Sequence, residues 1–202
     1  MKTKLLTSLL LVFVLGTPAY AQEDWFFGVA YETSLASGTA ADFASPFSWR
    51  GASFTGRRAV RDNFTVGFLT GWHVMNDEGV ASTSLDDQGL QQGLDITGYT
   101  LRYINSFPIM ASFFWYSGMP GGSRLYLGGN LGGYYIERRV EVNVFAISRE
   151  RLHFGAAPEV GIVTPLGWRG RGFAGARYNW AASSGGSGDI TYWNFFVGVA
   201  WQ

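Results

Sequence analysis

The sequence contains no cysteine, so the fold rests on no disulfide and uses no thiolate as nucleophile or metal ligand. Histidine is nearly absent as well. Two residues, His73 and His153, are too few and too far apart in sequence to suggest a metal cluster, and no cofactor is expected. Net charge is zero, with 15 basic and 15 acidic residues, which removes the electrostatic case for nucleic acid. Beyond residue 21 no apolar run reaches the ~18 residues that a membrane helix needs. The one apolar run that stands out, 5–15, follows Lys2 and Lys4 and precedes Ala19-Tyr20-Ala21. This pattern is read as a cleaved export signal over 1–21, with a single mature domain over 22–202.

Glycine is abundant, at 28 residues, and aromatics make up 17% of the chain. They combine in segments where apolar residues alternate with small or polar ones. The last segment is the clearest: Trp193, Phe195, Val197, Val199 and Trp201 form one set, and Tyr192, Asn194, Phe196, Gly198 and Ala200 the other. Period-two alternation with aromatics at both margins suits a strand with one face in lipid, and about 9–11 residues suffice to cross. Eight such segments are predicted, at 25–33, 49–57, 63–75, 96–116, 124–137, 151–164, 170–180 and 189–201. The facing of the second is ambiguous, with Ala52 and Phe54 assigned outward. Pro108 interrupts the fourth, where its missing N–H predicts a bulge or distortion.

Connections alternate between long loops rich in Ser, Gly, Asp and Thr and short turns at 58–62, 117–123 and 165–169. Together these features predict an all-β fold, an eight-stranded antiparallel up-and-down transmembrane β-barrel with both termini at the turn end. The same register collects two aromatic girdles. Trp25, Phe64, Trp115 and Trp201 fall at the turn end; Tyr31, Trp72, Tyr99, Tyr135, Trp180 and Trp193 fall at the loop end. A soluble lipocalin-type barrel is the rival, but it would turn its oily set inward. An exterior of Phe, Val, Trp and Leu would aggregate in water.

The stretch 107–116, the run R-L-Y-L-G-G-N-L-G-G-Y-Y-I at 124–136, and the segments 154–161 and 176–179 resemble the small outer-membrane β-barrel superfamily. That group includes the OmpA transmembrane domain and OmpX-like and OmpW-like proteins. The resemblance is diffuse and spans the mature region. It implies an eight-stranded barrel inserted by the barrel-assembly machinery and surrounded by lipid bilayer and lipopolysaccharide. Members usually end on an aromatic residue, whereas here Gln202 follows Trp201. The resemblance does not imply one activity, since members include adhesins, porin-like proteins and lipid A-modifying enzymes.

Three groups of residues are candidates for a site. Arg102, Arg124, Glu159 and Arg177, with His73 and His153, fall on the inner set. Charges inside so narrow a barrel must be paired, so they are read as a network plugging the lumen, with a narrow polar pore as the alternative. The two histidines are the second group, as a lipid A-modifying site would use them with a nearby Ser or acid. Their inward parity favours a lumenal role instead. The third group, Arg138, Arg139, Arg149 and Arg151, falls in a long loop and is a candidate for gripping lipopolysaccharide phosphates. Interleaved Glu137, Glu141 and Glu150 leave open a solvated hairpin with cross-strand ion pairs. The expected function is a non-enzymatic integral outer-membrane barrel whose loops meet a surface ligand or protein partner or stabilise the envelope. A narrow porin-like or OmpW-like channel and a lipid A-modifying enzyme are the alternatives.

Overall fold

A computed structural model of the chain describes residues 25–84, 95–118, 121–142, 145–167, 169–186 and 188–201. The expected export signal, the tip of the second long loop and Gln202 lie outside the described residues. The alternating segments form strands β1 (Trp25–Ser37), β3 (Arg50–Arg61), β4 (Phe64–Ser84), β5 (Asp95–Tyr116), β6 (Arg124–Val142), β7 (Phe145–Pro165), β8 (Gly170–Ala181) and β9 (Ile190–Trp201). A five-residue helix α1 (Thr39–Phe43) and a two-residue strand β2 (Phe47–Ser48) lie between β1 and β3. Each long strand pairs antiparallel with the next, and β9 returns to pair with β1 through Val29↔Val199. β2 meets β1 at Ser34↔Ser48, on the same edge of β1 that pairs with β3, so the wall has eight strands and is closed. Closure has a physical cause, because lipid cannot satisfy the N–H and C=O groups of a free strand edge.

The outer face is apolar on strand after strand, with Val29, Phe68, Ile109, Leu127, Phe154, Val160 and Val197 all exposed. Trp25, Phe27, Phe54 and Phe68 continue this face as a run of rings with centroids 5.7–6.1 Å apart. Ala52 and Phe54 do point outward, since Ser53, Thr55 and Arg57 are the buried set of β3. Only lipid accommodates such a band around a whole barrel.

The inner face is layered. Toward the turn end lies an aromatic layer of Phe114, Tyr116, Tyr126, Phe173 and Phe196. Toward the loop end lies an aliphatic layer that includes Leu69, Met75, Ile104, Ile136 and Ile190. Ala40 and Ala44, from α1 and its end, pack into this upper layer and lid it. Rings inside so narrow a tube lie over the neighbouring strand, and glycine there leaves the space they need. A Cβ at Gly161 would lie 2.6 Å from the Tyr126 hydroxyl, and one at Gly155 would lie 2.6 Å from the Tyr134 ring.

The distortion expected at Pro108 is present in one of its two forms, and one expectation changes. The ladder beside Pro108 is interrupted without a bulge: β4 and β5 pair at Thr70↔Ile109 and again at His73↔Ser106 in one register. Proline removes its own bonds there and leaves the strand course intact. The described parts of the second and third long loops are strand. β4 to β7 run 21, 22, 19 and 21 residues, while β1, β3, β8 and β9 run 12 or 13. About 9–11 residues cross the hydrocarbon, so half of the wall projects well past it.

Candidate functional site

At mid-barrel, four charged side chains from four strands meet. Arg57 on β3 donates from Nη2 to Oε1 of Glu159 on β7 at 2.8 Å. Arg177 on β8 donates from Nε to Oε2 of Glu159 at 2.8 Å, and from Nη1 to both oxygens of Glu32 on β1 at 3.2 and 3.3 Å. The remaining capacity is filled by neighbours. Arg57 also donates to the Tyr116 hydroxyl at 3.0 Å and lies 3.9 Å from the Phe114 ring centre. The Tyr126 hydroxyl and Asn130 Nδ2 donate to Glu159 at 3.1 and 3.2 Å. All four charged residues are at most 3% exposed. Two arginines and two glutamates balance, which is the condition under which buried charge is tolerated.

β3 and β7 are diametrically opposite in the strand order, so the Arg57–Glu159 pair crosses the full lumen. A second bridge crosses nearer the loop end, where Ser106 on β5 and Tyr192 on β9, also opposite, are 2.9 Å apart through their hydroxyls. His73 Nδ1 lies 3.1 Å from the same Tyr192 hydroxyl. Glu32 Oε2 is 2.8 Å from His73 Nε2 without the alignment of a full hydrogen bond. Below, a void of about 10 Å³ remains among Arg57, Tyr116, Tyr126 and Phe173, no more than one water could use.

The sequence singled out Glu159 and Arg177, and the structure places them together. Arg57 and Glu32 share the same inward parity, but Arg57 ends its predicted strand and Glu32 has no opposite charge within its own segment, so spacing alone ties neither to the network. Arg124 is buried yet stands apart from these carboxylates. It donates to the carbonyls of Asp62, Ser117 and Tyr116 at 2.8, 3.2 and 3.4 Å and closes the turn end. Arg102 sits half-buried on the projecting part of β5, opposite Asp77 and Val140. His153 is also apart from the network: its Nδ1 donates to the Ala182 carbonyl at 2.7 Å. His73 is 0% exposed and enclosed in the lumen, without access to lipid. Among the described residues no cluster of His, Asp or Glu forms a metal site.

Above the aliphatic layer, the β6–β7 hairpin sorts its charges by parity. Arg138, Arg149, Arg151 and His153 face inward and line a cavity of about 290 Å³ with Phe43, Ile136, Val140, Gly185, Gly186 and Gly188. Glu137, Arg139, Glu141 and Glu150 have the opposite parity and face out, where Arg139 pairs with Glu141 at 2.8 Å. The register sets Arg138 opposite Arg149 and Glu137 opposite Glu150. Among the described residues the register therefore sets no opposite charges directly across this hairpin, because residues directly opposite share a face and here share a sign. The four arginines also do not act as one group, since Arg139 is on the far side of the wall. Nε and Nη2 of Arg138 are buried without an acceptor, a condition that costs about 1–3 kcal/mol per donor and more for a charged one. Burial pushes the Arg138 guanidinium below its ordinary pKa.

The girdle aromatics lie on the outer face. Trp25, Trp115 and Trp201 are exposed at the turn end, with Phe64 beside Trp115. Trp72, Tyr135, Trp180 and Trp193 are exposed toward the loop end, as is Tyr31, whose hydroxyl donates to the Trp49 carbonyl. Tyr99 stands on the projecting part of β5, where it donates to Glu78 at 2.9 Å. Phe107 lies between Trp72 and Tyr135, with ring centroids 6.3 and 6.2 Å away.

No family model matches the sequence, and no curated protein matches it. The architecture has clear counterparts among solved structures. Neisserial surface protein A superposes with a TM-score of 0.54 at 14% identity, covering 88% of this chain and 96% of that one. Ail, the attachment invasion locus protein of Yersinia pestis, superposes with a TM-score of 0.52 at 11% identity, covering 89% and 99%. At these identities the likeness is one of fold: the chain has the fold of the small eight-stranded outer-membrane β-barrels.

Proposed function

We propose that the protein is a non-enzymatic, closed outer-membrane barrel that works through the surface it raises beyond the lipid. The observation that carries this reading is the pair of lumen-crossing bridges, Arg57–Glu159 and Ser106–Tyr192. Both span diametrically opposite strands, and the residues around them are packed and hydrogen-bonded. A solute path through the wall-to-wall contacts would require breaking a buried ion pair. The projecting halves of β4 to β7, by contrast, carry charged and aromatic side chains on a stiff strand platform. Such a platform presents a surface to a partner or ligand outside the cell. The alternating girdles and the lipid-facing band support a location in the outer membrane of a Gram-negative envelope, with lipopolysaccharide as the outer neighbour.

Reconstitution into planar bilayers tests the closed lumen. The expected trace is flat, and discrete single-channel steps would replace this reading with a porin-like one. Burial of His73 in the lumen weighs against lipid A modification. Lipid A from cells expressing the protein is therefore expected to keep its mass, and a changed mass spectrum would restore the enzyme reading.

A further inference from the structure

The mouth cavity combines three observations that have no structural use for one another. Among the described residues its lining has three inward arginines and no carboxylate. Two of those arginines, Arg138 and Arg149, are held directly opposite each other by strand register, which gathers positive charge at one level of the mouth. Arg138 also presents buried donors, Nε and Nη2, that meet no acceptor. The carboxylates that might have neutralised the group, Glu137, Glu141 and Glu150, are on the same two strands but turned out of the mouth by parity.

The walls fit a small guest. Phe43 of α1 lies under Arg138, with the guanidinium carbon 5.6 Å from the ring centre, and holds it toward the cavity. Gly185 and Gly186 line the cavity at φ 57° and 85°, a backbone that favours glycine. A Cβ at Gly185 would come within 3.2 Å of the Arg151 guanidinium, so the absent side chain leaves that guanidinium uncovered. A guanidinium fork matches the oxygens of a tetrahedral phosphate, and several forks around one cavity suit a doubly charged group.

We infer that this cavity binds a small phosphorylated ligand arriving from outside the cell, held by Arg138, Arg149 and Arg151. The volume, about 290 Å³, takes a phosphate with a sugar-sized body and excludes a folded polymer. The inference rests on the reading of the protein as a closed barrel acting at its outer surface. Lipopolysaccharide phosphates are the other source of this chemistry. They would approach the lipid side of the wall, where three glutamates surround Arg139.

Calorimetric titration of inorganic phosphate and of glucose 6-phosphate into the folded full chain, in a phosphate-free non-ionic detergent, tests the site. Saturable one-site binding is expected, weakened at least tenfold in Arg138→Gln and in Arg151→Gln and changed less than twofold in Arg139→Gln. The same titration in vesicles with and without lipopolysaccharide is expected to give one affinity. The inference is overturned if the folded protein binds neither probe. It is equally overturned if both inward variants, folded by far-ultraviolet circular dichroism, bind like the parent, or if lipopolysaccharide displaces the probe in a manner that depends on Arg139. A closed barrel that binds no phosphate removes this inference alone, whereas a conducting barrel removes the reading beneath it.

Discussion

Arg57 and Arg177 sit at mid-barrel bound to two carboxylates; Arg138 sits at the mouth beside Arg149 and Arg151, with Nε and Nη2 buried and meeting no acceptor. Both groups face inward on the same kind of strand. The difference lies in where the matching acids are. At mid-barrel Glu159 is the cross-strand neighbour of Arg177 and is also reached by Arg57 from the opposite wall, so neutralising the charge also ties the walls together. At the mouth the acids are one residue away in sequence and on the wrong face. A one-residue step in a strand inverts the side it serves. Burying an arginine therefore says little about its role until its acceptor has been located.

The comparison can be broken most forcefully at Glu159. Glu159→Gln removes the charge shared by Arg57 and Arg177, and breaking a buried pair in this way costs about 3–5 kcal/mol. Urea unfolding in detergent, followed by the mobility difference between folded and unfolded protein on gels, measures that loss. Gly161→Val comes next. It drives a side chain into Tyr126, which itself bonds Glu159, and overpacking of this kind costs about 1–3 kcal/mol. Ser106→Ala takes one partner from the Tyr192 hydroxyl in the upper bridge and should cost about 1 kcal/mol in the same assay. Arg138→Gln at the mouth is the smallest. Without an internal acceptor to lose, its unfolding free energy should stay within about 0.5 kcal/mol of the parent or rise.

Sequence alternation made the eight strands legible wherever one face met lipid, because Phe, Val, Leu and Trp then contrast with Gly, Ser and Asn. The contrast fades past the hydrocarbon. In 137–141 and 148–151 both faces are charged, so strand continuation looked like loop. Tyr99 was drawn into the girdle for the same reason, since an aromatic beyond the lipid has the same period as one at its margin. Glu159 and Arg177 were recognisable because adjacent strands brought opposite charges to one face. Arg57 reaches Glu159 from the opposite wall, and no spacing along the chain encodes a contact across a closed barrel. The mouth arginines were visible as a cluster. Their division into three inward and one outward needed the hairpin to be strand, and only then does parity apply.

Urea midpoints taken with and without saturating inorganic phosphate, for the parent, Glu159→Gln and Arg138→Gln side by side, put both halves of the comparison into one measurement. A ligand that binds only the folded state raises the midpoint, by a stabilisation that grows as RT ln(1 + L/Kd), with L the free ligand concentration. The expected pattern is a phosphate-induced rise in the parent, the same rise from a much lower start in Glu159→Gln, and little or no rise in Arg138→Gln. Equal destabilisation of the two variants, with a phosphate response that survives in Arg138→Gln, would contradict the division between a self-neutralised core and a ligand-ready mouth.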